Sequence, residues 1–230
     1  MNSENFEGLD TIISKGGDDI AIVVLHGYGA NNQDFVPFSK VVLKSKNPTW
    51  YFFNGILPTM MGPYETGRCW FPIDMEGLEK SLNSGSFTKF FTSSVPDGLI
   101  DASSKVTKAL ESIRGKFDKV YLGGFSQGSM ICADVAFHNS HLVDKLFLLS
   151  STMVSDERWN KTCLNKLPFP IFQSHGIQDP VLPIQGAINL KSFLENTDND
   201  PTYVEFPGAH EVPLEVVNKL ELFLRESNED

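Results

Sequence analysis

A glycine-rich turn between an apolar strand and a helical segment constrains the fold of this chain more than any other feature. Residues 120–130 read VYLGGFSQGSM, so apolar and small residues lead into the pentapeptide GFSQG at 124–128. A serine in such a strand–turn–helix unit is strained, and its hydroxyl is exposed above a sheet. Strand and helix then approach so closely that side chains at Gly124 and Gly128 would clash. The pattern indicates that Ser126 is a nucleophile, and an ordinary glycine-rich turn is the alternative.

Strand-like and helix-like segments alternate along the rest of the chain. The run Ile20–Leu25 is continuously apolar and mostly β-branched, which indicates a strand buried on both faces of a parallel sheet. Further strands are predicted at 11–14, 50–57, 120–124, 145–151, 167–176 and 202–206, and helices at 31–42, 97–113, 130–137, 184–196 and 212–226. This order predicts an α/β fold with a mainly parallel central sheet and helices on both faces.

A long segment without a clear period interrupts this alternation. Residues 58–96 mix Gly, Pro, Ser, Met and aromatic residues, and we expect two short helical turns within them. A segment of this length in a compact domain usually serves a function. The 230 residues, 41% of them hydrophobic, are enough for one sizeable core, so we expect a single domain over 1–230 that includes this excursion.

Charge and cysteine content limit the partners and the compartment. The net charge of −10 argues against nucleic acid and anionic membrane surfaces, and no apolar run approaches the ~20 residues of a membrane helix. Cys69, Cys132 and Cys163 are odd in number and widely spaced, which predicts neither a disulfide framework nor a metal site. Free thiols and an acidic start at 1–10 without a signal-peptide pattern favour a cytoplasmic location.

Two residues downstream of Ser126 have the positions that its catalytic partners require. A serine needs a base within hydrogen-bond reach, and the base usually needs a carboxylate that orients it. In sheets of this kind the chain order is serine, then Asp or Glu, then His, in loops at the carboxyl ends of strands. Asp179 and His210 each follow a predicted strand in this order. Asp156 and Glu157, after an earlier strand, are the alternative carboxylates.

The other four histidines compete with His210 for the role of base. His175 lies beside the acid but before it in the chain, so we expect it to pack or to make a structural hydrogen bond. His26 leads into a glycine-bearing turn and is interpreted as a buried supporting residue. His138 and His141 end the helix that follows the serine, and we expect them on the solvated surface.

Two glycine-bearing turns are suited to supply hydrogen-bond donors to the oxyanion of a tetrahedral intermediate. One donor is the backbone N–H of Gln127, at the positive end of the helix after the serine. The second is expected in the sequence HGYG at 26–29, where glycines allow backbone amides to point inward, and Tyr28 N–H is the candidate. The alternative at 26–29 is a plain turn.

Apolar side chains in and beside the excursion suit an acyl-binding groove, because Met and aromatic residues adapt to irregular apolar shapes. The alternative interpretation is that these side chains simply fill the core. The candidate groove residues are Leu57, Met60, Met61, Trp70, Phe71 and Met75.

With these residues in view, the sequence resembles the phospholipase/carboxylesterase family of α/β-hydrolases, which includes bacterial carboxylesterases and acyl-protein thioesterases. The resemblance covers almost the whole chain. It is carried by the segments 26–29, 68–73, 124–128, 148–150, 175–183 and 208–211. It implies a Ser126–Asp179–His210 triad, an oxyanion hole formed by Tyr28 and Gln127, no metal or organic cofactor, and no large cap domain.

Four positions depart from the pattern of that family. Tyr28, Ala30, Ser151 and Ile177 stand where leucine, aspartate, glycine and a polar residue are common. None belongs to the triad. Tyr28 borders the acyl site, so substrate preference is the least transferable property.

The expected function is that of a serine carboxylesterase acting on short- to medium-chain acyl esters of small-molecule or lipid-like compounds. An acyl-protein or other thioesterase, a lysophospholipase and an acyl transferase are alternatives with the same triad. A non-catalytic binding module is a further alternative, but it would typically lack a triad member. A homodimer is an alternative to a monomer if part of 58–96 forms an exposed apolar flap.

Overall fold

An eight-stranded sheet runs through the computed structural model, which describes residues 3–60, 66–163 and 165–226. The strands of these residues are, in chain order, β1 (Ser3–Phe6), β2 (Leu9–Ser14), β3 (Ile20–Leu25), β4 (Thr49–Phe53), β5 (Leu57–Met60), β6 (Thr66–Cys69), β7 (Lys119–Phe125), β8 (Lys145–Leu149), β9 (Ile171–Gly176) and β10 (Thr202–Phe206). The sheet has the order β1-β2-β4-β3-β7-β8-β9-β10, and β5 and β6 form a separate antiparallel pair. From β4 to β10 all neighbours are parallel, whereas β1 and β2 pair antiparallel at one edge.

Helices cover both faces of this sheet. Those of the described residues are α1 (Met75–Asn83), α2 (Phe87–Thr92), α3 (Leu99–Arg114), α4 (Gln127–His138), α5 (Asp156–Thr162), α6 (Ile184–Glu195) and α7 (Leu214–Arg225), with 3-10 turns at Val36–Lys40 and Ser140–Leu142. Val23 packs into the core on the side of α1 to α6, and its neighbours Ile22 and Val24 pack into the core on the side of α7. The continuous apolar run of β3 is therefore buried on both faces, and the predicted α/β fold is confirmed.

Several predicted elements differ in extent from those of the structure. The helix predicted over 31–42 is wrong, because only the 3-10 turn at Val36–Lys40 forms there. Pro37 supplies no backbone N–H to a longer helix, and Leu43 turns the chain with a φ of 49°. The strand predicted over 50–57 is also wrong in extent, since it ends at Phe53 and a second strand begins at Leu57.

The excursion at 58–96 holds the two helical turns expected from the sequence, as α1 and α2. The first begins at Met75, where the Asp74 carboxylate accepts a hydrogen bond of 3.0 Å from Gly77 N–H. Among the strands and helices, β1, the antiparallel pair β5–β6 and α5 were not predicted. The structure places α5 directly after the loop that follows β8.

Loops that follow the parallel strands meet at one edge of the sheet. In register, Leu25 of β3 pairs with Gly124 of β7, and Phe206 of β10 pairs with Gly176 of β9. The chain therefore leaves these four strands at nearly the same level, and the loops carrying the candidate residues face one another. Within the described ranges, no helix has the length and apolar character needed to cross a membrane.

Candidate active site

Ser126 occupies a sharp turn between β7 and α4. Its backbone has φ 53° and ψ −121°, a conformation that residues with a side chain rarely adopt. A methyl group on Gly124 would lie 2.7 Å from Leu25 O, and one on Gly128 would overlap the same carbonyl. The two glycines are thus required by the close approach of β3, β7 and α4, as the sequence predicts.

Asp179 and His210 form a hydrogen-bonded pair in the loops after β9 and β10. His210 Nδ1–H donates to Asp179 Oδ2 at 2.6 Å, and Asp179 Oδ1 accepts from the N–H groups of Val181 (2.8 Å) and Leu182 (2.9 Å). The proton lies on Nδ1 because the carboxylate is the acceptor. This leaves Nε2 without a partner among the described residues, on a ring that lines the same cleft as Ser126.

The carboxyl group of Asp179 is held in its ionised form. Burial alone would raise its pKa, but the hydrogen bonds from His210 and from the backbone N–H groups of Leu182 and Val181 outweigh burial and lower the pKa. An ionised Asp179 fixes the tautomer of His210 and can stabilise a positive charge on its ring. The His210 ring also lies against Phe125, with 4.7 Å between ring centroids.

An apolar cleft of about 510 Å³ opens over Ser126 and His210. One wall comes from the excursion and includes Met75 and Leu78 of α1 and Phe91 of α2. Met130 of α4, the helix that follows Ser126, also lines the cleft. Leu78, Phe91 and Met130 were not among the predicted groove residues, although the i, i+3 spacing of Met75 and Leu78 is a signal for a shared helix face.

Of the three predicted groove residues near α1, one lines the cleft and two do not. Met75 lines the cleft. Trp70 and Phe71 do not line it, because both side chains are 0% exposed and belong to the core. The indole N–H of Trp70 donates to the carbonyl of His26 at 2.9 Å. For these two residues the alternative interpretation, core filling, is the correct one.

The predicted groove residues on β5 lie elsewhere. Leu57 and Met60 are 37% and 64% exposed on the antiparallel pair β5–β6, and neither lines the cleft. Met61, the remaining candidate, lies outside the described residues. Residue type predicted apolar contacts here, but it did not reveal which way each side chain faces.

Both candidate oxyanion donors border the cleft. Tyr28 and Gln127 line it, and neither backbone N–H has an acceptor in the part of the chain that the structure describes. A methyl group on Gly27 would lie 3.3 Å from Ser126 Cβ, so the turn before Tyr28 contacts the serine turn directly. The N-terminus of α4 adds a positive partial charge at Gln127.

Two histidines support this region in their neutral form. His26 Nδ1–H donates to Gly27 O at 2.7 Å, and its Nε2 accepts from Gly55 N–H at 2.8 Å. His175 Nε2–H donates to Leu182 O at 2.7 Å and lies 3.4 Å from Asp179 Oδ2. Burial lowers the pKa of both rings. Both histidines are buried and hydrogen-bonded, as the sequence predicts.

The remaining histidines and the alternative carboxylates lie away from the cleft. His141 is exposed, as expected, whereas the side chain of His138 is only 24% exposed and its Nδ1 bonds to Asp134 O at 2.7 Å. Asp156 and Glu157 open α5 and do not line the cleft. Asp134, a buried carboxylate within the apolar helix α4, was not singled out from the sequence.

The structure shows no candidate metal centre within 3–60, 66–163 and 165–226, because no three His, Cys, Asp or Glu residues there are grouped to hold an ion. Cys69, Cys132 and Cys163 are buried free thiols. Burial raises the pKa of each thiol, which keeps it protonated near neutral pH.

A parallel sheet of this order, with a strained serine before a helix and a paired histidine over the same cleft, defines a serine hydrolase of the α/β-hydrolase fold. The family described as phospholipase/carboxylesterase matches residues 9–228, and the chain belongs to that family. The resemblance seen in the sequence motifs is confirmed.

Comparison with individual proteins gives relatives of two kinds. Acyl-protein thioesterase 1 of Kluyveromyces lactis is 27% identical over 157 residues, which cover 66% of this chain and 61% of that protein. Acyl-protein thioesterase 1 of Candida albicans is 28% identical over 181 residues, 70% of this chain and 71% of that protein. The crystal structure of the Bacillus cereus carboxylesterase superposes with a TM-score of 0.72 at 20% identity, covering 94% of this chain and 92% of that one, which shows the shared fold.

Proposed function

We propose that this protein hydrolyses carboxylic esters of short- to medium-chain acyl groups. Ser126 is the nucleophile, His210 the general base and Asp179 the carboxylate that orients the base. The observation that carries this proposal is the 2.6 Å bond from His210 Nδ1 to Asp179 Oδ2, on a ring that shares its cleft with Ser126.

The proposed reaction has two halves with the same parts. Ser126 Oγ attacks the acyl carbonyl carbon while its proton passes to His210 Nε2, and the carbonyl electron pair becomes an oxyanion. The oxyanion collapses, the bond to the alcohol breaks, and His210 returns the proton to the leaving oxygen. Water then attacks the acyl-enzyme with His210 as base, releasing the acid and restoring Ser126.

Tyr28 N–H and Gln127 N–H are the proposed oxyanion donors. Both amides border the cleft and have no acceptor among the described residues, so they are available to a charge that appears only during the reaction. Such preorganised donors are worth more in an apolar, water-poor site than in solvent. The cleft is lined mainly by apolar groups, which favours strong hydrogen bonds from these donors.

The cleft wall formed by α1, α2 and α4 is the proposed acyl site. A volume of about 510 Å³ with side chains such as Leu78, Phe91 and Met130 suits a flexible hydrocarbon chain. Two methionines in the lining, Met75 and Met130, can adapt to chains of different length.

Thioester hydrolysis is the second candidate function, favoured by the similarity to the two yeast proteins named acyl-protein thioesterase 1. The same triad serves an oxygen or a sulfur leaving group. The two functions are distinguished by measuring kcat/KM for an octanoyl ester and for an octanoyl thioester whose leaving groups have matched pKa values. Lysophospholipase activity is a further alternative, tested with a single-chain phospholipid.

Other predictions from the sequence stay predictions. These are a cytoplasmic location, a single domain over 1–230, an ester partner rather than a nucleic acid, and the alternative of a homodimer. A sedimentation measurement of the purified chain would settle its oligomeric state.

Covalent labelling by a fluorophosphonate probe tests the proposal directly. We expect the probe to label the folded wild type and not Ser126→Ala, whose esterase kcat should fall by about 10⁴-fold or more. Ser104→Ala, an exposed serine on α3, is the matched control and should label like the wild type. A folded wild type that does not label would instead favour the non-catalytic binding module.

A further inference from the structure

Trp70 links the two turns that carry the candidate oxyanion donors. Its indole Nε1–H donates to His26 O at 2.9 Å, and its backbone N–H donates to the side-chain Oε1 of Gln127 at 2.8 Å. The other end of the Gln127 amide donates to Phe71 O at 2.7 Å. Trp70 is fully buried and does not line the cleft, so it contacts the site through these bonds and through its ring, which lies against the His26 ring with 5.5 Å between centroids.

The direction of the Tyr28 N–H is set by the carbonyl of Gly27. In a planar trans peptide the C=O and the following N–H point in opposite directions, so fixing one fixes the other. Gly27 O accepts from His26 Nδ1–H at 2.7 Å. His26 is itself held by Gly55 N–H at Nε2 and by Trp70 at its carbonyl.

The direction of the Gln127 N–H is set in the same way by the carbonyl of Ser126. Ser126 O accepts from the backbone N–H groups of Ser129 (3.0 Å) and Met130 (3.2 Å), and from Ser129 Oγ. Because this peptide is the first of α4, its N–H faces away from the helix and toward the cleft. The side chain of the same residue, Gln127, is fixed by Trp70 and Phe71.

We propose that Trp70 is a positioning residue that aligns the two oxyanion donors by bracing the His26–Tyr28 turn against Gln127. We call Trp70, His26 and the Gln127 side chain the oxyanion brace. None of its three side chains is proposed to touch the reacting atoms. The inference rests on the proposed function, since an alignment of Tyr28 N–H and Gln127 N–H matters only if an oxyanion forms.

The brace predicts a loss of rate without a loss of ground-state binding. Trp70→Phe keeps a buried aromatic ring but removes the bond to His26 O. A small displacement of a donor can lower the rate by up to about 100-fold, so we expect kcat for p-nitrophenyl butyrate to fall by about 10- to 100-fold. KM should stay within about two-fold of the wild type, because the acyl cleft is unchanged.

Trp159→Phe is the matched control. Trp159 is also fully buried, and its indole N–H donates to Asp134 Oδ1 at 2.9 Å, but it does not line the cleft or contact the brace. Both variants lose a buried indole hydrogen bond, so both should unfold at lower urea concentration than the wild type. Only Trp70→Phe should lose kcat.

A pair of ketone inhibitors distinguishes a positioning role of Trp70 from a purely structural one. The measured quantity is the inhibition constant of each ketone. A trifluoromethyl ketone binds when Ser126 Oγ adds to its carbonyl carbon, the serine proton passes to His210 and the carbonyl electrons form an oxyanion. Its inhibition constant should rise in Trp70→Phe by the factor by which kcat/KM falls. The inhibition constant of the matched unfluorinated ketone, which stays trigonal, should not change.

The possible outcomes separate the two proposals. An unchanged kcat in folded Trp70→Phe, or a raised KM with unchanged kcat, overturns the brace while the labelling of Ser126 still supports hydrolysis. A wild type that the fluorophosphonate does not label overturns the proposed function and the brace together. If Trp70→Phe does not fold, Gln127→Met provides the test, because it keeps the backbone N–H and removes both side-chain bonds. The same loss of kcat at unchanged KM is expected, and its absence overturns the brace.

Discussion

The side chain of Phe91 lines the cleft in the proposed acyl site, and Phe87, one turn earlier in α2, does not line the cleft. Phe91→Leu should therefore extend the acyl site, because the smaller side chain leaves space next to the substrate. Each additional buried methylene contributes about 0.8 kcal/mol, so two further methylenes should raise the relative kcat/KM for longer esters by about 10-fold. A series of p-nitrophenyl esters from acetate to laurate measures this shift.

Phe87→Leu is the control for the chain-length experiment. Phe87 is buried like Phe91 and contacts it edge to face, with 5.7 Å between ring centroids. The same substitution there should lower stability comparably and leave the chain-length profile unchanged. An identical profile for Phe91→Leu and the wild type would mean that the acyl chain lies elsewhere in the cleft.

Which residues the sequence identifies, and which it does not, follows from the kind of constraint each one carries. The sequence predicts Ser126 from glycines that only a close approach of strand and helix requires, and it predicts Asp179 and His210 from their order after strands. The groove residues carry no such constraint. Trp70 satisfies an apolar pattern equally well in the cleft wall and in the core, and only tertiary contacts place it in the core.

The helix α5 shows the same limit for a whole element. Its seven residues, DERWNKT, have no apolar period, since Trp159 is their one buried side chain. Its formation depends on contacts with α4, where the fully buried Asp134 carboxylate accepts from Arg158 Nε at 2.8 Å and Nη2 at 3.0 Å, and from Trp159 Nε1 at 2.9 Å. Helices with a clear apolar stripe, such as α3 and α7, were predicted to within a few residues of their ends.

Arg158→Ala should destabilise the protein strongly, because it leaves the Asp134 carboxylate buried without its cationic partner. Breaking a buried pair by removing one partner costs about 3–5 kcal/mol, and partial exposure of the Arg158 side chain places the expected loss near the lower end, at about 3 kcal/mol. Urea unfolding measures the change. The kcat of the folded fraction should stay close to that of the wild type, because α5 does not line the cleft.

Lys161→Ala is the comparison within the same helix. Lys161 pairs with Glu157 in solvent, with side chains 71% and 83% exposed, and such pairs contribute little to stability. We expect little change in the urea midpoint. If Arg158→Ala were no more destabilising than Lys161→Ala, the Arg158–Asp134 pair would not be the contact that holds α5 against α4.

Across the molecule, the parallel sheet connects the stability of the core to the alignment of the site. β3, β7, β9 and β10 each end in a loop that carries a candidate residue, and their neighbours pair in register along the sheet. Two buried neutral histidines lie at these strand ends: His26 directly follows β3, and His175 is the penultimate residue of β9. Protonation of either ring places a charge in the core. At His26 the added proton goes to Nε2, which then no longer accepts from Gly55 N–H, and at His175 it goes to Nδ1, which is buried without a partner among the described residues.

This arrangement predicts that stability falls with acidification below about pH 6.5. Burial lowers the pKa of His26 and His175 in the folded state, while in the unfolded chain each titrates near 6.5. Below that pH the unfolded state binds more protons than the folded state, so the free energy of unfolding decreases as pH falls. The two groups together should remove up to about 2 kcal/mol between pH 6.5 and pH 5.5.

Urea unfolding at pH 7.5, 6.5 and 5.5 measures this dependence. Asp179 does not contribute in this range. Its pKa is lowered in the folded state, so the stability it contributes is lost only as pH falls below the ordinary carboxyl pKa of about 3.9 that it has in the unfolded chain. His141→Gln, which replaces an exposed histidine, should show the same decrease as the wild type. A constant free energy of unfolding from pH 7.5 to pH 5.5 would mean that His26 and His175 take up protons in the folded state, and the hydrogen-bond directions assigned to the oxyanion brace at His26 would then be wrong.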